Sequence, residues 1–179
     1  MLTQKELASR MMRLRAALDR NIENLNYGGC GVFAVSLAKA LRKIGITEVE
    51  IILPDQWENG IAPREVYENG VKPSNMDRAH VGVRYRLRGK VYTADSTRVG
   101  LDKGSFGRSR WGSGPKTQER LGRNGAYEVK FSYPFGGGLT VEQFAPCTRA
   151  QRHWNRQFDR RQIPTLQALM DAYLVAGVK

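Results

Sequence analysis

The sequence predicts an α+β fold in a single domain of residues 1–179, and three observations lead there. Helical stripes of apolar residues mark the N-terminal third and the C-terminal end, while period-two runs rich in β-branched and aromatic residues occupy the middle. A chain of 179 residues with 41% hydrophobic content suffices for one core and is short for two. No internal repeat interrupts this order.

From Thr3 to about Leu25, Leu7, Met11, Leu14 and Leu18 recur at a helical period, and Thr3 with Glu6 forms a capping-box pattern. Asn26-Tyr27-Gly28-Gly29 then breaks the helix, because paired glycines admit backbone angles that other residues avoid. A second helix opens at Cys30, with Phe33, Leu37, Ala40, Leu41 and Ile44 on one side and small Ala34 and Ala38 suited to close packing on a sheet. Gly45 closes it. Val49 to Leu53 reads as a strand stopped by Pro54, followed by an irregular connection over 55–79 with a helical turn near Arg64 to Tyr67.

His80 to Leu87 and Val91 to Ser96 read as two strands of a hairpin joined by Arg88-Gly89. Residues 98–125 are glycine-rich and basic with little apolar period, which predicts a surface excursion. Ala126 to Tyr133 alternates as a strand, Pro134 to Gly138 punctuates it, and a basic helical stretch is expected near Cys147 to Asp159. The C-terminal helix, 165–176, follows Pro164 and puts Leu166, Leu169, Met170, Tyr173 and Leu174 on one face, with Gly177 at its end.

The bulk chemistry narrows the classes. No run approaches the ~18 apolar residues of a membrane span, and Met1 to Glu6 carries no apolar signal, so a soluble cytoplasmic protein without membrane association is expected. Two cysteines far apart, without CxxC or CxxxH spacing, and only two histidines argue against a disulfide framework, a structural zinc and any metal or cofactor. The net charge of +12 is concentrated in Arg98 to Lys130, with eight Lys/Arg against three acids, and Arg149 to Arg161, with five Arg against Asp159. Neither stretch interleaves aromatics as a nucleic-acid module does, which favours solvated faces or a groove for an acidic protein partner over a nucleic-acid site.

One constellation carries chemistry. A thiol in the first turn of a helix lies near unsatisfied N–H groups and the positive end of the macrodipole, which favours thiolate at Cys30. The Cys30 backbone N–H can also donate to an oxyanion, and Gly28, Gly29 and Gly31 are expected to keep the approach to sulfur open. If Arg88-Gly89 is a two-residue turn, Asp95 lies across from Gly82 and diagonal to His80, about 7–8 Å away between Cα atoms, with nothing on Gly82 to block the path. His80 then serves as base and Asp95 orients it. The same strand face carries Arg84 and Arg86, while Val81, Val83, Tyr85 and Leu87 make the other face apolar. Either the arginines lie beyond the helix or the register differs. Trp57 and Trp111 sit in the long connections as candidate substrate-cleft residues, although pinning loops to the core is the commoner use of such residues. Cys147 and His153 are too far apart for one helical face and read as structural or surface residues.

The segment 29–45, Gly-Cys-Gly-Val-Phe-Ala-Val-Ser-Leu-Ala-Lys-Ala-Leu-Arg-Lys-Ile-Gly, is similar to the nucleophile helix of transglutaminase-like and papain-like cysteine enzymes. His80-Val81-Gly82-Val83 and Gly89 to Thr97 resemble the strands that carry histidine and aspartate in the transglutaminase-like group, so the likeness spans residues 27–97 as a catalytic core. It implies a nucleophile helix packed on an antiparallel sheet, and a cysteine peptidase or amide hydrolase acting on a protein or peptide. Transglutaminase or acyltransferase chemistry and glutamine deamidation are alternatives with the same triad. Val81-Gly82 and Ser96-Thr97 stand where those enzymes commonly have a large residue and a proline, and Asn24 and Asn26 are the available side chains where papain-like peptidases use glutamine; Asn26 is the oxyanion candidate. A non-catalytic basic protein that binds nucleic acid or an acidic partner is the rival class. A compact basic enzyme of this kind would suit a phage or other mobile genetic element.

Overall fold

The computed structural model describes residues 2–25, 28–53, 62–70, 81–96, 134–148 and 158–178, together with the backbone of 118–119 and 129–130. Helix α1, Gln4–Asn21, begins at the expected capping box: Thr3 Oγ1 accepts from the Glu6 N–H at 3.2 Å and Glu6 Oε2 accepts from the Thr3 N–H at 2.7 Å. Its stripe of Leu7, Met11, Leu14 and Leu18 is buried, with Ala17 added. Helix α2, Cys30–Lys43, is the centre of the core, and Phe33, Ala34, Leu37, Ala38 and Leu41 have no solvent exposure. Full burial of a side chain such as Phe33 contributes about 2–3 kcal/mol. Gly45, at φ +88°, ends the helix in the left-handed conformation that glycine tolerates.

Strands β1 (Val49–Ile52), β2 (Gly82–Leu87) and β3 (Lys90–Asp95) form an antiparallel sheet in that order. Leu87 pairs with Lys90 and Gly82 with Asp95, the register expected from a two-residue turn. Arg88 at φ +51° and Gly89 at φ +77° make that turn, with both central residues left-handed as a tight hairpin with right-twisted strands requires. On the far side of β1, Ile51 and Leu139 exchange backbone hydrogen bonds at 2.7 and 2.8 Å.

The arginine question is settled by the two faces of this sheet. Val49, Ile51, Val81, Val83, Tyr85, Leu87, Tyr92 and Ala94 belong to the core cluster that includes α2, and Tyr85 stacks on Tyr92 with ring centroids 5.5 Å apart. Alternation sends Glu50, Ile52, Gly82, Arg84, Thr93 and Asp95 to the other face. The register is as expected, and Arg84 lies on the face turned away from α2. Only 6% exposed, it donates through Nε to Glu50 Oε1 and through Nη2 to the Pro134 carbonyl at 2.7 Å. Glu50 Oε2 accepts from the N–H groups of Gly136 and Gly138 at 2.9 and 3.0 Å. Burial of both charges is tolerated because each is hydrogen-bonded as well as paired. The Phe135 ring covers Arg84 and Arg86, at 5.7 and 4.5 Å to its centroid. On the same face, α3 (Pro63–Glu68) brings its cap residue Ala62 against Ile52.

The remaining elements differ from the sequence expectations in detail. Within the stretch expected to be a surface excursion, β4 (Gln118–Glu119) pairs with β5 (Val129–Lys130), which falls inside the expected strand 126–133. Helix α4 (Val141–Phe144) starts on a Thr140/Gln143 capping box that the sequence reading passed over; of the expected basic helix, residues 149–157 lie outside the described residues. The C-terminal helix starts earlier than expected, with a 3₁₀ turn at Arg160–Gln162 leading into α5 (Ile163–Met170) and a π-helical turn at Asp171–Val175. Leu166, Met170 and Leu174 are its buried residues, and Leu169 and Tyr173 pack at the margin. Arg10 Nη1 donates to the carbonyls of Leu174 and Ala176 at 3.2 and 2.7 Å, so α1 satisfies the end of that helix.

Candidate active site

Two backbone devices set the position of Cys30. Gly28 turns the chain at φ +99°, and Gly29 then caps α2, its carbonyl accepting from the Phe33 N–H at 2.8 Å. Gly29 has to be glycine for a packing reason: a Cβ there would stand 2.7 Å from the Leu25 carbonyl oxygen and 2.8 Å from Phe158 Cδ2. At Gly29 the expected open space is therefore filled. Gly29 is packed solid, and Cys30 itself is 8% exposed. The reciprocal bonds between Glu23 and Gln162, at 2.8 and 3.2 Å, tie the segment before the turn to the C-terminal helix.

The electrostatics of the thiol also depart from the helix-dipole argument. Burial pushes the Cys30 thiol above its ordinary value, against backbone N–H groups of Val81, Gly31 and Cys30 that draw it down; the Asp95 carboxylate adds a further upward push. Among these influences desolvation outweighs the helix terminus. Val81 was not foreseen as a partner. Its N–H belongs to the peptide bond joining it to His80, so the chain enters β2 beside the sulfur.

Asp95, 9% exposed, ends β3, and the next residue, Ser96, is fully buried. Although alternation puts Asp95 on the face away from α2, it sits at the last position of the strand and its charge is felt at the sulfur. The Val81 N–H thus meets the Cys30 sulfur where the chain enters β2, and the charge of Asp95, at the end of β3, acts on the same thiol. His80 lies outside the described residues, as do Asn26, Trp57, Trp111 and His153. Gly82 does face Asp95, but the space above it is not empty: Ile52 Cγ1 would be 3.3 Å from a Cβ on Gly82.

No protein-family model, curated protein or solved structure matches this chain.

Cys147 is apart from this constellation, buried in the turn after α4 with its thiol 3.7 Å from the Gln143 carbonyl. Among the described residues no group of three or more His, Cys, Asp and Glu side chains could hold a metal ion, and no helix is long and apolar enough to cross a membrane. The signal for the Glu50–Arg84 pair lies in the strand patterns: Glu50 is the charged residue of β1, and Arg84 is one of two arginines of β2, directly across from it.

Proposed function

We propose that the chain is a cysteine peptidase or amide hydrolase acting on a protein or peptide, with Cys30 as nucleophile, His80 as base and Asp95 as its orienting partner. The observation that supports this reading is that the Val81 N–H, next to His80 in the chain, donates to the Cys30 sulfur while the Asp95 carboxylate acts electrostatically on it. The likeness to transglutaminase-like and papain-like enzymes over 27–97 points the same way. Cys30 gives up its proton to His80. Sulfur bonds to the substrate carbonyl carbon while His80 takes the proton, and the oxyanion is held by the Cys30 N–H with Asn26 as the side-chain candidate. The C–N bond then breaks, the amine departs with the proton from His80, and water hydrolyses the thioester. An amine in place of water gives acyl transfer, and a glutamine side chain as substrate gives deamidation.

Iodoacetamide labelling near neutral pH, with the adduct mapped, tests the nucleophile. Preferential labelling of Cys30 over Cys147, lost in His80→Ala, is the expected result; equal labelling of both thiols, indifferent to His80, would overturn it. Incubation with a peptide mixture and a primary amine then separates the chemistries: new peptide termini mark hydrolysis, incorporated amine marks acyl transfer, and glutamine converted to glutamate marks deamidation.

The charge of +12 favours a second reading, a basic surface that grips nucleic acid or an acidic protein. Binding to generic nucleic acid that falls steeply with salt would support it, and absence of binding even at low salt would remove the nucleic-acid form.

A further inference from the structure

Helix α1 buries the stripe Leu7, Met11, Leu14 and Leu18, and at about 100° per residue the opposite stripe is Lys5, Ser9, Met12, Arg13, Ala16 and Arg20. All six are exposed, and Met12, at 51%, is the most exposed large apolar side chain among the described residues, so this face meets no other part of the fold. The other charged groups of the helix are engaged. Glu6 accepts from Thr3, Arg10 donates to the carbonyls of Leu174 and Ala176, and Arg15 lies 3.9 Å from Asp19. Lys5, Arg13 and Arg20 make no ion pair or hydrogen bond among the described residues. The reciprocal Glu23–Gln162 bonds dock the 3₁₀ turn Arg160–Gln162 beside the end of α1. Exposed Arg160 and Arg161 therefore stand at the same end of the helix as Arg20, the first donating to the Thr148 carbonyl and the second paired with Asp159.

We propose that this face of α1 is a nucleic-acid interface, on which Lys5, Arg13 and Arg20 contact the phosphate backbone of a DNA duplex. This interface deepens the second reading above and rests on it. A rise of about 1.5 Å per residue puts Lys5 about 12 Å from Arg13 along the axis, and Arg13 about 10 Å from Arg20. Cations about two turns apart match the two phosphate strands that border a major groove about 12 Å wide. Ser9 and Ala16, between them, are small enough to let the duplex approach the helix. The composition of the face selects the partner. It carries no aromatic residue, and single-stranded nucleic acid is gripped by stacking its bases on aromatic rings. An interface with an acidic protein has an apolar centre depleted of charge, whereas here Met12 is the one large apolar group and three cations share its face. Duplex DNA is held by surfaces more polar and more positively charged than those between proteins.

Fluorescence anisotropy with a labelled random-sequence DNA duplex of about 20 base pairs, between about 50 and 200 mM salt, provides the test. It compares wild type, Arg13→Gln/Arg20→Gln and Arg88→Gln/Lys90→Gln, with folding checked by thermal unfolding. The second pair, exposed at the β2–β3 turn, removes the same charge from elsewhere on the molecule. The α1 variant is expected to bind about 50-fold more weakly near 0.1 M salt, because each lost phosphate contact, with a salt slope near 0.9, is worth about eightfold relative to 1 M salt. Its slope of log affinity against log salt is expected to fall by about two, while the hairpin variant stays within about twofold of wild type. Equal or greater weakening in the hairpin variant overturns the interface, since charge would then act from anywhere on the surface. Tighter wild-type binding of single-stranded DNA of the same length, or of poly-glutamate, than of the duplex overturns it as well. Should Arg13→Gln/Arg20→Gln not fold, Lys5→Gln/Arg20→Gln replaces it and is read in the same way. Wild type that binds no DNA at the lowest salt removes the nucleic-acid reading and this interface with it. Wild-type binding that the α1 variant retains in full removes this interface alone.

Discussion

Gly82 stands directly across from Asp95 in the β2–β3 ladder, and the Ile52 side chain from β1 closes over the position where Gly82 has no side chain. Asp95 is thus flanked within the sheet by a packed aliphatic group instead of by open space. A methyl group at position 82 would sit 3.3 Å from Ile52 Cγ1 and 3.4 Å from the Ala94 carbonyl oxygen, which a shift of a few tenths of an ångström accommodates. Gly82→Ala is expected to fold with nearly wild-type stability. Gly82→Val should cost about 1–3 kcal/mol through overpacking, and Ile52→Ala in the same chain should recover part of that. Urea unfolding of the three variants measures this, and a Gly82→Val midpoint equal to wild type would contradict the packing described.

The hairpin turn offers a change of the opposite sign. Arg88 holds a left-handed backbone that costs a residue with a Cβ roughly 1 kcal/mol, and asparagine is better suited to it. Arg88→Asn should raise stability by up to roughly 1 kcal/mol, whereas Gly89→Ala should lower it by a similar amount. Thermal unfolding of both variants decides, and the same sign for both would be incompatible with the turn.

At Gly29 the conflict is with backbone, which cannot give way as a side chain does. Gly29→Ala drives a Cβ toward the Leu25 carbonyl oxygen and Phe158, so a loss of about 3 kcal/mol is expected, accompanied by displacement of Cys30. Phe158→Ala introduced beside it should recover only part of the loss, because the carbonyl remains. Full recovery in the double variant, read from unfolding midpoints, would mean that the side chain alone sets the packing.

Titration of the thiol gives a pH-dependent prediction. The folded state holds the Cys30 proton more tightly than the unfolded state does, so this contribution to stability is fully present below the ordinary thiol value and is lost as pH rises through the folded value. Relative to Cys30→Ser, wild type should lose stability progressively above about pH 9. Urea midpoints of the pair, measured from neutral into alkaline pH, should diverge in that range; a constant difference would show that burial does not hold the proton.

Periodicity made α1, α2 and the hairpin legible, because each is written as an uninterrupted pattern with its own stop signal: Thr3 and Glu6 at one start, Gly45 at one end, Arg88-Gly89 between strands. The register followed from the turn length alone. What stayed hidden depends on contacts between distant segments. The burial that raises the Cys30 thiol is a tertiary effect, and nothing local to Gly28-Gly29-Cys30 announces it. Val81 enters the site through its backbone, which residue type does not reveal. Glu50 and Arg84 could have been paired only after the two strands were aligned, and helix α4 was obscured because its four residues are too few to show a period.

The tight seat of Gly29 against Phe158 also bears on synthesis. A ribosome delivers Gly29 long before Phe158, so the turn that leads into α2 spends much of translation without this neighbour. The packing that fixes this turn is therefore completed only after Phe158 has emerged and docked.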